Sequence, residues 1–245
     1  IDPELSVIGV QDEAGRTIAV LTNFACHPWL YNGTRISSEI SGACADWVEA
    51  QLSPDNPDVV ALFCPGTGSD ITTIQHQKPI PDGLPERERW FTAERLRMGE
   101  ILGRATLQAL AQVSEFASAG TVTCETHEIT APVYEQTLEA VVADNGGLPP
   151  TDLTMKTEVQ VATVGDIVVV GLPSEVYVEY GLEIKERSHY ADTFVLSYCN
   201  DYFADIITHE AAAEAVCPEM GWTKVHPDVR EPIMRCLETR VLEPR

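Results

Sequence analysis

His27, Glu175 and Asp205 are one imidazole and two carboxylates, each placed where an apolar run gives way to polar residues. One nitrogen donor and two oxygen donors suit a hydrolytic zinc site, which holds its ion through three protein ligands and leaves a position for water. Four polar clusters carry the chemistry. They are Asn23-Phe24-Ala25-Cys26-His27-Pro28, the loop from Gly66 to Thr73, Gly171-Leu172-Pro173-Ser174-Glu175, and Asn200-Asp201-Tyr202-Phe203-Ala204-Asp205. In α/β folds, function gathers where buried strands end in such loops. Each residue also has a plainer use. His27 serves equally as a hydrogen-bonded structural residue, Glu175 as a favourable charge at a helix N-terminus, and Asp205 as a turn or cap residue. The loop Gly66-Thr67-Gly68-Ser69-Asp70-Ile71-Thr72-Thr73 lacks the lysine and the spacing of a phosphate-binding P-loop, which excludes nucleotide binding there.

The elements that must position these clusters alternate along the chain. Residues 17–24 are aliphatic and β-branched and predict a buried strand. Residues 41–52 predict a helix opened by Ser41 and closed before Ser53-Pro54. A short strand at 58–63 runs into the glycine-rich loop. Residues 86–113 carry the longest helical pattern, with Met98, Ile101, Leu102, Ala105, Ala109 and Val113 on one stripe. Residues 121–130 alternate like a half-buried strand, and 134–150 hold a helix-like stretch and a loop. Residues 158–164 and 167–171 predict a hairpin turning at Gly165-Asp166. Residues 174–187 predict a helix with Ser174 as its N-cap, and 193–198 a further buried strand. No linker interrupts this order, so the expectation is a single α/β domain over residues 1–245, a mixed β-sheet flanked by helices.

Composition narrows the function. Of the 245 residues, 44% are hydrophobic and 22% charged, as in ordinary globular proteins. The formal net charge of -22 removes the basic face that a nucleic-acid binder needs. No apolar run reaches the roughly 18 residues of a membrane span. The seven cysteines are odd in number and contain no CxxC pair, so a zinc-finger arrangement is excluded. Scattered cysteines tilt the expectation towards a reducing, cytoplasmic compartment. The visible start is Ile1 rather than Met, which is read as a processed end or the edge of a longer polypeptide.

The four clusters, taken in order, resemble motifs of the neutral/alkaline, non-lysosomal ceramidase family, and the resemblance covers almost the whole chain. The stretch from Ile18 to Pro28 is similar to the family strand ending in "NFACHP", and Ile36-Ser37-Ser38-Glu39-Ile40-Ser41-Gly42 to its "ISADYPG" segment. The stretch from Phe63 to Thr73 is similar to its "FLQGAAGDVNP" or "GDVSPN" loop, that from Val168 to Glu175 to "ALVGLPGE", and that from Asn200 to Thr208 to "NGYAGYIPT". The resemblance implies an α/β fold that is part of a larger ceramidase-like catalytic domain. It also implies a Zn2+ cofactor, with His27 and Glu175 at the positions of a ligating histidine and glutamate. Asp205 stands where the family has a ligating tyrosine, and Thr72 where it has an active-site serine. Aspartate remains an oxygen ligand and threonine keeps the hydroxyl.

The implied activity is metal-assisted hydrolysis of a carboxamide (N-acyl) bond, with Thr72, Asp70 and Tyr202 lining the site. Thr72 would donate a hydrogen bond to substrate, and Tyr202 would act as an acid or as a support for the metal ligands, its alternative being a buried core tyrosine. An esterase or peptide amidase on the same scaffold, and a catalytically silent binding or assembly subunit, are the rival readings. The family's first histidine lies in an "HTH" motif upstream of "NFACHP", beyond Ile1. A second polypeptide carrying the N-terminal half and that further His ligand is therefore expected. Failing that, one of His76, His127, His189, His209 and His226 must replace it.

Overall fold

A computed structural model describes residues 1–30, 36–73, 81–117, 120–134, 154–214 and 217–242. The helix-like stretch and loop expected between 134 and 150 fall, beyond Tyr134, outside the described residues, as does His76. The chain forms two compact units. One comprises residues 1–66 and 71–118, the other 67–70 and 119–245. Both are mixed sheets flanked by helices, as the alternation of strand and helix patterns predicted.

The first unit is built on β1 (Leu5–Gln11), β2 (Thr17–Phe24) and β3 (Val60–Pro65) in the order β1-β2-β3. β1 and β2 form an antiparallel hairpin, and β2 and β3 run parallel. The connection between the parallel pair is helical, as a crossover requires: α1 spans Glu39–Leu52, and the long α2 (Leu84–Leu110) follows β3. One face of the sheet offers Val20 and Ala61 to Ile40, Cys44 and Val48 of α1 and to Phe91 and Leu102 of α2, and these close the core. The opposite face carries Ile8, Val10, Leu21, Val60 and Leu62 by register. There Val10, Val60 and Leu62 are 42%, 48% and 49% exposed. β2 is apolar on both faces because it is the central strand. The sequence pattern missed β1, whose Ser6 and Gly9 interrupt the apolar alternation of LSVIGVQ.

The second unit holds a four-stranded sheet in the order β4-β5-β6-β8. β4 (Val122–Pro132), β5 (Thr154–Val164) and β6 (Ile167–Gly171) form an antiparallel meander. The turn at Gly165-Asp166 is where the sequence placed it. β6 then pairs in parallel with β8 (Asp192–Leu196). A separate two-stranded parallel ladder joins β7 (Glu175–Val176) to β9 (Asp205–Ile206). Among the described residues the α-helices of this unit are α3 (Val178–Arg187), between β7 and β8, and α4 (His209–Ala213) and α5 (Arg230–Leu237), after β9. Val159, Val161, Val168, Val170 and Val195 of the sheet pack with Tyr180 and Ile184 of α3 and Ile233 and Leu237 of α5.

The helix expected from Ser174 onward is split. Glu175 N–H bonds Ala204 O (3.3 Å) and Tyr177 N–H bonds Ile206 O (3.1 Å), so these residues satisfy their backbone in the ladder and not in a helical turn. The helix begins only at Val178, with Tyr177 extended at its N-cap. Likewise α1 starts at Glu39, with Ser38 and not Ser41 before it.

α3 is tied to α5 by Glu183, whose carboxylate bonds Arg187 (3.0 Å) and Arg230. Burial raises its pKa, but the two guanidiniums outweigh that and hold it below the ordinary glutamate value. A depressed folded pKa gives stability that is complete above the unfolded value, roughly 4.3, and is lost as pH falls through the folded one. Glu183→Gln is expected to cost about 1–2 kcal/mol at pH 7 after solvent screening and nothing further in strong acid. Urea unfolding at pH 7 and pH 3 checks this; an equal loss at both would refute the charge-based account.

Candidate functional site

The β7–β9 ladder exists because four residues around it adopt backbone conformations that side chains disfavour. Ser174, Tyr198, Asn200 and Ala204 have φ of 62°, 62°, 63° and 67°. Such left-handed non-glycine residues cost on the order of 1–3 kcal/mol each and gather at functional sites. The strain is held by a tight net. Ser174, fully buried, receives Phe203 N–H at its hydroxyl (2.9 Å) and donates to Ala204 O. Its own N–H reaches Asp201 O (2.9 Å), and its carbonyl accepts from Tyr198 N–H (2.7 Å).

This net sets Glu175 directly opposite Asp205 in a parallel register, so both carboxylates share one face of the ladder. The Tyr202 hydroxyl donates to Glu175 Oε1 (2.7 Å) and the Tyr198 hydroxyl to Oε2 (3.3 Å). Asp205 is buried and accepts from the Trp222 indole N–H. Burial raises the Asp205 pKa, the Trp222 bond opposes that, and the negative charge of Glu175 adds to the rise. The neighbouring Ser69 hydroxyl also lowers it. Tyr202 is pushed up to about 12, first by its bond to Glu175. Tyr198 is raised further, first by burial and then by the Glu175 charge. Both phenols therefore remain O–H donors at neutral pH. Tyr202 is 64% exposed, so it serves the carboxylate and not the core.

The glycine-rich loop changes unit twice, after Gly66 and after Asp70, so that residues 67–70 belong to the second unit and Gly66 and residues 71–73 to the first. Residues 67–70 pack on the elements that carry Glu175. Ser69 N–H bonds Val176 O (3.2 Å), and a Cβ on Gly181 of α3 would meet Thr67 Oγ1 at 1.9 Å. Asp70 Oδ1 accepts from Val178 N–H (2.9 Å), capping the first residue of α3 from a distant segment.

In the first unit, His27 follows the carboxyl end of β2. Its N–H bonds Ile71 O (2.9 Å), next to Thr72, which is exposed. The half-buried ring accepts Trp29 N–H at Nδ1 (3.3 Å) and meets the Trp29 ring edge-on at 6.0 Å.

The structure thus brings Glu175, Asp205 and Tyr202 together in the second unit and His27 and Thr72 together in the first. Tyr198 and Trp222, which hold the carboxylates, were not singled out by sequence. Trp222 lies 17 residues from Asp205 in a segment without a strand pattern, and no sequence signal marks it. The other described histidines are engaged elsewhere: His127 with Glu125, His209 and His226 on either side of Asp228, and His189 stacked on Tyr190. Among the described residues no group of three His, Cys, Asp or Glu side chains is arranged to hold a metal ion. Glu175 and Asp205 nevertheless put two carboxylates, the oxygen-donor type that divalent cations take, on one face of the ladder.

The architecture has close counterparts of known structure. Over 96% of this chain it matches neutral ceramidase from Pseudomonas aeruginosa with a TM-score of 0.71 and 16% identity. The fold is ceramidase-like. A ceramidase complexed with C2 matches over 94% of this chain, again with a TM-score of 0.71 and 16% identity. These matches cover 45% and 46% of the ceramidase chains, so this chain spans less than half their length. No protein-family model and no curated protein sequence matches it. No helix among the described residues is long and apolar enough to cross a membrane.

Proposed function

We propose that the chain is part of a zinc-dependent hydrolase of the ceramidase kind, cleaving a carboxamide bond in an N-acyl substrate. The observation that carries this is the Glu175–Asp205 carboxylate pair, held by strained backbone within a ceramidase-like fold. Glu175 and Asp205, with His27, would hold the ion. When bound, zinc supplies Lewis acidity for an amide carbonyl and makes water more acidic.

The chain's own groups have defined tasks. Tyr198 and Tyr202 fix the Glu175 carboxylate through both oxygens, and Trp222 does the same for one oxygen of Asp205. Such supports around a ligand typically change metal affinity 10–100-fold. Thr72 offers a hydroxyl to orient substrate, and Asp70 steadies α3 behind Glu175. The ceramidase chains are more than twice as long as the portion matched here. We also propose that a second polypeptide carrying an HxH-type segment completes the ligand set.

The test is made on the native preparation: intact mass for its polypeptides, metal content, and turnover of a panel of N-acyl lipids, acyl amino acids and simple esters. One zinc per chain and chelator-sensitive amide cleavage are expected. Zinc without amide turnover, but with ester turnover, would shift the activity to an esterase. Absence of both zinc and turnover would leave a binding subunit. Within an active preparation, Thr72→Val is expected to keep the fold and reduce turnover about tenfold; unchanged turnover would remove its hydroxyl from the chemistry.

A further inference from the structure

The two carboxylates of the second unit are not supported alike. Glu175 receives a hydroxyl at each oxygen, from Tyr202 at 2.7 Å and from Tyr198 at 3.3 Å. Asp205, which is buried, has among the described residues one such bond to its side chain, from the Trp222 indole N–H to Oδ2. The Ser69 hydroxyl neighbours Asp205 and favours its charged form. Its oxygen is closed off from solvent, and among the described residues it completes no hydrogen bond. Buried polar atoms are satisfied almost without exception, so one left over beside a carboxylate calls for an explanation.

The backbone around Ser69 is fixed to the segment that carries Glu175. Ser69 N–H bonds Val176 O (3.2 Å), and Asp70 Oδ1 accepts Val178 N–H (2.9 Å). Thr67 is engaged against α3, where a Cβ on Gly181 would meet its Oγ1 at 1.9 Å. Val176 in turn pairs with Ile206, the residue after Asp205 in the ladder. With its backbone anchored in this way, Ser69 can turn its hydroxyl onto the carboxylate by rotation about χ1 alone, between staggered positions. Thr72 and Thr73 belong to the first unit, so Ser69 is the loop hydroxyl that the second unit itself sets beside Asp205. In sequence it is one polar residue among several in the loop, and nothing there sets it above Thr72.

We propose that Ser69 is a positioning residue for Asp205, its hydroxyl donating to that carboxylate when Glu175 and Asp205 hold an ion. This role presupposes the zinc-dependent function proposed for the chain. Donors behind a ligating carboxylate keep it in one orientation, and Ser69 with Trp222 gives Asp205 the paired support that Glu175 has from its two tyrosines. The test compares parent and Ser69→Ala in the native preparation by two measurements, zinc affinity in competition with a chromophoric chelator and urea unfolding of the zinc-free protein. Ser69→Ala is expected to weaken zinc binding about tenfold. Its zinc-free urea midpoint is expected to stay at the parent value or rise, because without the ion the hydroxyl has no bond to lose. Ser69→Thr is expected to bind zinc more tightly than Ser69→Val, which has the same shape without the hydroxyl. Zinc held equally by Ser69→Ala and parent, equal affinities in the Thr and Val variants, or a zinc-free midpoint that falls in Ser69→Ala would each overturn the role of Ser69 and leave the zinc site standing. A parent preparation that binds no zinc would overturn both.

Discussion

Glu175→Gln is expected to strip most of the bound zinc from the proposed enzyme and to lower amide turnover by about a thousandfold. A carboxylate ligand contributes full negative charge to the ion, and a bound ion is worth several kcal/mol of transition-state stabilisation, each 1.36 kcal/mol being tenfold in rate. Glutamine is the informative replacement. It keeps the size of the side chain and one acceptor oxygen for the Tyr198 and Tyr202 hydroxyls that Glu175 now receives. Alanine would leave the half-buried Tyr198 hydroxyl without its Glu175 acceptor and confound function with folding. Tyr202→Phe, which removes one support and no ligand, should lower zinc affinity only about tenfold. Metal content after dialysis, beside the rate, is the measurement. A Glu175→Gln protein that retains one zinc per chain and its parent rate would remove Glu175 from the metal site.

The part of this site that was legible in sequence was the part written in contiguous residues. His27, Glu175 and Asp205 stood out because each ends an apolar run, and apolar runs are what buried strands look like. The same logic found β2, the β5–β6 hairpin and the long α2. It misjudged the segment after Pro173, because a serine followed by glutamates also describes a helix start. Only the ladder partners at 204–206, about thirty residues away, decide that Glu175 lies on a strand. Tyr198 and Trp222 were invisible for a related reason. Tyr198 is itself one of four non-glycine residues around the ladder in left-handed conformations, which single-residue propensities argue against, and Trp222 reaches Asp205 from 17 residues away. Asp70 shows the converse: a residue chosen for chemistry proves to cap α3, a contact spanning 108 positions that no local pattern encodes.

Substituting Val60→Lys together with Leu62→Lys is expected to abolish association with the proposed second polypeptide and, with it, activity of the assembled enzyme. The sheet of the first unit needs cover on two faces, and among the described residues α1 and α2 pack on one. Ile8, Val10, Leu21, Val60 and Leu62 align on the other face by register. Three of them remain 42–49% exposed, an apolar patch of the kind that marks an interaction surface. Edge pairing is the less favoured route on the β3 side, because Glu49 already accepts the Ala61 N–H (2.9 Å) and places a carboxylate on that edge. The partner is therefore expected to pack on the face. The occupant we propose is a polypeptide carrying the rest of the ceramidase-like fold, of which the matched portion is less than half. Burying a valine or leucine contributes about 1.5–3 kcal/mol. Replacing two with lysines should weaken association by at least roughly a hundredfold while making the isolated chain less prone to self-associate. Co-purification and light scattering read both effects. A chain that is soluble, monomeric, zinc-loaded and active by itself would refute the partner, and so would a double-lysine variant that still co-purifies with it at parent levels.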